Sequence, residues 1–351
     1  MGGHYTDGAA PHLASPSLRD KAIVDTPDHR DPLRRFRWLA VVTLVASLAL
    51  VALGGAVRAT DSGLACPTWP GCFSAGDFVP ALQLNVWLEH SHRLVAGAVG
   101  LAIAALLVWA ITRFRHQRGV LLATVAAAVL VNVQAALGAL VVLRLLQAEL
   151  VTAHLGMAML VVACLAYLVV SAGRGQAQPD ASRRDLGLAR TSMLVTGLCF
   201  VQILVGGHVT GIAAGLAYTD FPLMGGAVFP EITSEREAFH AAHRFLAYAL
   251  VLAVAYLCAR AARYRREHPA APSRSVRLPL WAAGLVVIQV GIGVGNLYSG
   301  TSWLTVIPHL AVASWIWVVL VLGTMHAYRD AEPAAAASGS RDESDRQLVN
   351  R

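Results

Sequence analysis

Residues 38–57 of the chain read WLAVVTLVASLALVALGGAV, twenty residues without one charged side chain. A helix of about twenty apolar residues is long enough to cross a hydrocarbon core of roughly 30 Å. Seven further stretches of similar character follow, at residues 92–112, 120–143, 151–172, 191–210, 241–261, 278–297 and 304–326. The sequence therefore predicts an all-α integral membrane protein with eight transmembrane helices.

The overall composition agrees with this prediction. Of 351 residues, 56% are hydrophobic and only 14% are charged, and the mean hydropathy is +0.56. These values lie outside the usual range of soluble proteins. The net charge of +7 comes from arginines in alternate loops and not from a basic domain, so nucleic acid is excluded as a partner.

The distribution of arginine predicts the orientation, because short cytoplasmic segments retain positive charge. Arginines cluster before the first span and in every second loop, at Arg34, Arg35, Arg37, Arg113, Arg115, Arg118, Arg174, Arg183, Arg184, Arg190, Arg260, Arg263, Arg265, Arg266, Arg274 and Arg277. The other loops hold few cations and several acids, among them Asp61, Asp77, Asp220 and Glu231. Both termini are therefore predicted to be cytoplasmic, and the polar tails, residues 1–37 and 328–351, are predicted to be disordered.

The chain also repeats itself. Gly54-Gly55 and the following Ser62-Gly63-Leu64-Ala65 correspond to Gly206-Gly207 and Ala214-Gly215-Leu216-Ala217, 152 residues later. A repeat of this length predicts two related four-helix bundles, residues 38–177 and 178–327. Each has an even number of spans, so both halves insert in the same orientation and relate by an axis along the membrane normal.

Four histidines occupy matched positions in this repeat. His92 and His243 open the second helix of each half, and His154 and His309 lie near the start of the fourth. These helices run parallel in a four-helix bundle, so two imidazoles at one height can approach one iron from opposite sides. Without a carboxylate or thiolate triad beside them, axial heme ligation suits them better than zinc or copper. The alternative is hydrogen bonding between helices, which the glutamines Gln134 and Gln289 are also able to provide.

Glu89 precedes His92 by three residues and so shares its helix face. A carboxylate there is able to exchange protons with a bound substrate or to support a ligand histidine. The alternative is an exposed acid stabilised by the helix N-terminus. His240 replaces it in the second half. Arg93 and Arg244 have two open roles, pairing with heme propionates or extending toward the membrane interface.

Cys66 and Cys72 lie in the first long loop, in the sequence CPTWPGC, on the predicted outer face. Disulfides persist on the oxidising side of a membrane. A disulfide that closes this loop is therefore predicted, and its role, structural or redox-active, stays open.

Several strings resemble the heme A synthase family, over residues 38–326. They are GGAVRATDSGLACPTWPGC from Gly54, EHSHRLVAG from Glu89, TAHL from Thr152, TDFPLMGG from Thr219 and HRFLA from His243. One departure is visible: Tyr218 and Met224 stand where some members have a second cysteine pair.

The resemblance implies oxidation of the C8 methyl group of heme O, through an alcohol, to the formyl group of heme A for cytochrome c oxidase. It implies that His92 and His154 flank the substrate heme, that His243 and His309 ligate a resident heme b, and that Glu89 is catalytic. It further implies a bacterial plasma membrane location. Expected partners are a heme O synthase, assembly factors of cytochrome c oxidase and, for a homo-oligomer, a second copy of the chain.

Two other functions remain open from the sequence. A diheme electron-transfer cytochrome would use all four histidines as permanent ligands and would need no acid at Glu89. A heme transporter or chaperone would use the repeat for alternating access, although the predicted midplane holds few of the Gly/Pro breaks and charges typical of transport sites.

Overall fold

The computed structural model describes residues 1–3, 32–74, 79–80, 82–172, 186–269 and 272–331. The predicted division at residue 178 and most of both predicted tails lie outside these residues. Within them the chain forms eight α-helices, as predicted: α1 Pro32–Ala59, α2 Leu84–Arg113, α3 Arg118–Leu143, α4 Ala148–Ser171, α5 Leu186–Gly211, α6 Glu235–Glu267, α7 Arg274–Tyr298 and α8 Trp303–Ala331. Each is long and apolar enough to cross a membrane, which makes the chain a multi-pass membrane protein.

Several helices extend beyond the apolar stretches that predicted them. Helix α1 begins at Pro32, α8 continues to Ala331, and α2 begins at Leu84, eight residues before the predicted start. Helix α6 begins at Glu235 because Ser234 and Glu237 form a capping box. Hydropathy marks only the part of a helix that lies in hydrocarbon, whereas the backbone hydrogen bonds continue into the polar interface. Contrary to the prediction, His92 and His243 do not open their helices. They lie about two turns inside them.

Helix packing divides into two rings of four. Helix α1 contacts α2 and α4, and α3 contacts the same two helices; α5 and α7 have the same relation to α6 and α8. The rings meet where α1 packs on α8, α4 on α5 and α4 on α8. Two glycines bring these helices together: a Cβ atom on Gly55 would lie 2.9 Å from Leu310, and one on Gly207 would lie 2.9 Å from Leu155.

The long loops between α1 and α2 and between α5 and α6, of which residues 60–74, 79–80, 82–83 and 212–234 are described, lie at one end of the bundle, here called the loop end. The ends of α1 and α5 meet there, since Arg58 donates to the Thr210 carbonyl at 3.2 Å. One apolar core runs through all eight helices. Most of its buried members, such as Phe36, Leu106 and Leu165, lie in the helix halves away from the loop end. The loop half of the bundle, which carries the four histidines, has fewer buried apolar side chains.

Candidate functional site

Each of the four matched histidines packs against a glycine of the preceding helix. A Cβ atom on Gly54 would lie 2.9 Å from Cε1 of His92, and one on Gly206 would lie 2.8 Å from Cε1 of His243. The corresponding distances are 3.0 Å from Gly138 to His154 and 3.2 Å from Gly293 to His309. Only a residue without a side chain leaves room for these rings, so the glycines fix where the imidazoles lie.

The histidines of the second half lie near one another. The ring centres of His243 and His309 are 6.5 Å apart, with the ring planes inclined by 64°. His92 and His154 take the equivalent positions in the first half, each against its own glycine. All four residues are partly buried by protein. The structure thus brings His243 and His309 together, as the sequence analysis predicted.

Two glutamines touch these rings. The side-chain nitrogen of Gln134 lies 3.2 Å from Nε2 of His154, which makes it the interhelical contact that the sequence predicted. The side-chain nitrogen of Gln202 lies 3.1 Å from Nδ1 of His243. The sequence analysis did not identify Gln202. The one sequence feature that could have indicated it is its position one helical turn before Gly206. Within the described residues, Oε1 of Gln289 has no hydrogen-bond partner.

The second pair fits an axially ligated heme. A histidine nitrogen lies about 2 Å from a bound metal ion, so two imidazoles on opposite sides of one iron have ring centres roughly 6 Å apart. The separation of His243 and His309 is 6.5 Å. The buried Nδ1 of His309 has no hydrogen-bond partner in the described part of the chain. Across those same residues no cluster of three or more histidine, cysteine or acidic side chains is placed to hold a bare metal ion.

The first long loop is fastened to α2 by Glu89 and Arg93. Cys66 and Cys72 form the predicted disulfide. The amide of Cys66 donates to Oε2 of Glu89 at 2.8 Å, and Arg93 forms an ion pair with Oε1 of the same carboxylate. Arg93 also donates to the carbonyls of Cys66, at 2.9 Å, and Gly71, at 2.8 Å. Glu89 is 3% exposed, so the alternative of an exposed acid at the helix opening is wrong.

The second long loop is fastened in the same manner. Arg244 donates to the carbonyls of Tyr218 at 2.8 Å, Asp220 at 2.7 Å and Leu223 at 2.9 Å. Its Nε donates to Nε2 of His240 at 3.0 Å. Both arginines are therefore engaged with their own loops, a role that neither of the two predicted alternatives included. The sequence does not show where the two arginine side chains point, because this depends on how each loop folds back onto its helix.

The remaining histidines at the loop end belong to other contacts. His90 lies edge-on to Trp87, with ring centres 5.7 Å apart. His208 lies 4.2 Å from the ring of Phe239. Neither ring contact involves the four matched histidines, and neither His90 nor His208 has a matching histidine in the other half of the chain.

Comparison with known proteins identifies the family. A family model described as cytochrome oxidase assembly protein matches residues 37–84 and 79–321. A heme A synthase of Alkalihalophilus pseudofirmus is 30% identical over 77% of this chain and 87% of its own length. A heme A synthase of Methylobacterium sp. is 30% identical over 91% of the chain and 96% of its own length, and one of Paracoccus denitrificans is 30% identical over 83% and 87%.

These matches include the loops and helices that carry all four histidines, Glu89 and the disulfide. Likeness over this extent reflects common descent of the whole membrane region and not one shared motif. The chain belongs to the family of cytochrome oxidase assembly proteins that contains the heme A synthases.

Proposed function

We propose that this chain is a heme A synthase, an oxidoreductase that converts the C8 methyl group of heme O to a formyl group by way of a hydroxymethyl intermediate, for use in cytochrome c oxidase. The observation that carries the proposal is the pair of imidazoles repeated in both halves, each ring set against a glycine. The relatives are named heme A synthases, and the family resemblance supplies the reaction.

The two halves have different proposed tasks. Residues 38–177 bind the substrate, with His92 and His154 on either side of the heme O iron. Residues 178–327 bind a resident heme b through His243 and His309. Heme b, when bound, would supply a one-electron redox couple beside the substrate half. Histidines held by glycines on neighbouring helices would fix the position of the iron and the tilt of the heme plane, and fixed orientation lowers the barrier of such reactions.

The contacts of the glutamines support this division. Gln134 lies against Nε2 of His154, the nitrogen that most often ligates heme iron. Heme O must therefore displace the side chain of Gln134 when it binds. Gln202 lies nearer to Nδ1 of His243. The buried Oε1 of Gln202 has no hydrogen-bond partner among the described residues, and turning the amide end for end lets this oxygen accept from Nδ1–H of His243. An acceptor at Nδ1 holds the ring orientation and raises the basicity of the ligand nitrogen, which suits a cofactor that stays in place.

Glu89 has an alternative to the predicted proton exchange, namely a purely structural role, because both carboxylate oxygens already accept hydrogen bonds from donors of the chain itself.

The likeness of the two histidine pairs also favours a second candidate function. In a diheme electron-transfer cytochrome both pairs would hold permanent b-type hemes.

The location and partners follow the same proposal. The protein lies in the bacterial plasma membrane with both termini in the cytoplasm, as its arginines predict. A heme O synthase that supplies the substrate, assembly factors of cytochrome c oxidase and a second copy of the chain are the proposed partners.

Expression in a bacterial host that makes heme O and lacks heme A tests the function. The expected result, from mass spectrometry of extracted heme, is hydroxymethyl heme and heme A, with neither in a host carrying the empty vector. Retention of a b-type heme in the purified protein without either product would contradict the synthase and support the diheme cytochrome.

A further inference from the structure

The clearest unexplained feature is how closely the two loop fastenings agree. Arg93 donates to the carbonyls of Cys66, Thr68 and Gly71. Arg244 donates to the carbonyls of Tyr218, Asp220 and Leu223. Each acceptor in the second set lies 152 residues after its counterpart in the first. The acceptor residues differ between the two loops, and every acceptor is a backbone carbonyl, so these arginine contacts depend on the shape of the backbone and not on the acceptors' side chains.

The residue one turn before each arginine completes the same arrangement. Glu89 accepts from the Cys66 amide at 2.8 Å and pairs with Arg93. The ring of His240 lies between the Tyr218 amide nitrogen, 3.3 Å from Nδ1, and the Arg244 Nε, 3.0 Å from Nε2. A neutral imidazole accepts a hydrogen bond at one nitrogen only. Nε2 of His240 accepts from Arg244, so Nδ1 carries the proton and lies beside the Tyr218 amide without accepting from it. A carboxylate in one half and an imidazole in the other therefore both hold the arginine of their own loop.

From this correspondence we propose that Glu89 is a positioning residue, which with Arg93 clamps the disulfide loop 62–74 onto α2, and that it does not exchange protons with the substrate. The inference rests on the proposed function only where it concerns substrate. Two observations carry it: each oxygen of the carboxylate has a partner within the clamp, and the second half forms its clamp without an acid.

The second half also indicates which property of Glu89 matters. A nitrogen that accepts a hydrogen bond from a guanidinium carries no proton, so His240 is not the doubly protonated cation. Arg244 is nevertheless 7% exposed and stays in place. A neutral acceptor is therefore sufficient to hold this arginine. Glutamine at position 89 keeps one acceptor oxygen for Arg93, while its amide nitrogen would face the Cys66 amide, so it should keep the arginine contact and lose one hydrogen bond. Leucine, which accepts no hydrogen bond, should release the clamp.

Loop opening has a measurement that is independent of catalysis. Both disulfide cysteines are fully buried, so a reductant reaches the disulfide only when the loop opens. In the full-length purified protein, the rate of reduction by a water-soluble phosphine is followed by maleimide labelling and peptide mass spectrometry of Cys66 and Cys72. Glu89→Leu should raise this rate about tenfold, from the loss of hydrogen bonds to charged groups. Glu89→Gln and Glu89→His keep an acceptor for Arg93 and lose the hydrogen bond to the Cys66 amide, so they should raise the rate by no more than about threefold.

Conversion of heme O then separates positioning from proton transfer. Glu89→Gln should keep conversion within about threefold and leave its pH profile unchanged, whereas Glu89→Leu should lower it about tenfold or more. The proposal is overturned if Glu89→Gln stops conversion while its loop opens no more than about threefold faster than the natural loop. It is equally overturned if Glu89→Leu opens no faster. If the natural chain forms no heme A, the proposed function fails, and the reduction rates still test the clamp.

Discussion

His243 on α6 and His309 on α8 hold their imidazole rings 6.5 Å apart, centre to centre. The two residues are far apart in sequence, and each is kept in place by a different glycine, Gly206 on α5 and Gly293 on α7. All four helices of the second ring therefore contribute to one pair. A small change in any of these four helices therefore disturbs the histidine pair, so single substitutions are able to test it.

Removal of either histidine of this pair should abolish the resident heme. We expect His243→Ala and His309→Ala to lower the b-type heme content of the purified protein by more than about tenfold, because loss of a supporting group alone typically costs ten- to a hundredfold in affinity. Reduced-minus-oxidised spectra measure the content.

His92→Ala is the matched control for this prediction, since it removes a histidine of equal environment from the other half. It should retain the b-type spectrum. Equal losses in all three variants would contradict the assignment of the resident heme to the second half.

The glycines that face the histidines should not tolerate a methyl group. Alanine at position 206 would bring Cβ to 2.8 Å from Cε1 of His243, and overpacking of this kind costs about 1–3 kcal/mol. We expect Gly206→Ala to lower heme content by at least about fivefold, and Gly293→Ala, where the distance is 3.2 Å, to have a smaller effect. Heme-to-protein ratios measured after purification test the order.

Each of these helices provides its own control. A Cβ atom on Gly197 of α5 or on Gly291 of α7 meets no heavy atom within 4 Å. Gly197→Ala and Gly291→Ala should keep the heme and stabilise their helices by up to about 1 kcal/mol. Similar heme loss in the controls would mean that helix flexibility, and not the contact with histidine, explains the effect.

The sequence predicted the membrane fold and the histidine pairs because both depend on repeated, local signals. An uncharged stretch such as 38–57 has few structures open to it in a membrane. His154 and His309 each follow their glycine by sixteen residues, so the repeat alone relates them.

The rest depends on contacts that sequence spacing does not specify. Glu89 was predicted to share the face of His92, yet its carboxylate contacts Arg93 and the Cys66 amide. The direction of a long side chain is set by the acceptors it meets, and these lie in a loop that folds back onto its helix. Gln202 was missed because nothing in the repeat matches it: Leu50 occupies the corresponding position in the first half.

The second long loop should accept the disulfide of the first. Tyr218 and Met224 occupy the positions of Cys66 and Cys72, belong to one buried cluster, and lie in a loop held by matching arginine contacts. We expect Tyr218→Cys combined with Met224→Cys to form an intramolecular disulfide, seen as resistance of both thiols to maleimide until a reductant is added. Free thiols in the folded double variant would show that the two loops differ in backbone shape near these positions.

Asp220 should make the second loop sensitive to acid. Its carboxylate accepts from the amides of Gly226, at 2.9 Å, and Gly225, at 2.8 Å, and these hydrogen bonds lower the pKa of Asp220 below its ordinary value of 3.8. The folded pKa is the lower one, so the stabilisation is fully present above about pH 3.8 and is lost as the pH falls through the folded pKa. Hydrogen exchange of peptides covering residues 219–229, corrected for the chemical exchange rate at each pH, should show constant protection from pH 7 to pH 5 and a decrease only below pH 4.

Asp220→Ala is the control for this prediction. It should reduce protection at pH 7 and remove the dependence on pH. If protection falls equally in Asp220→Ala and in the natural chain on acidification, another group controls the loop.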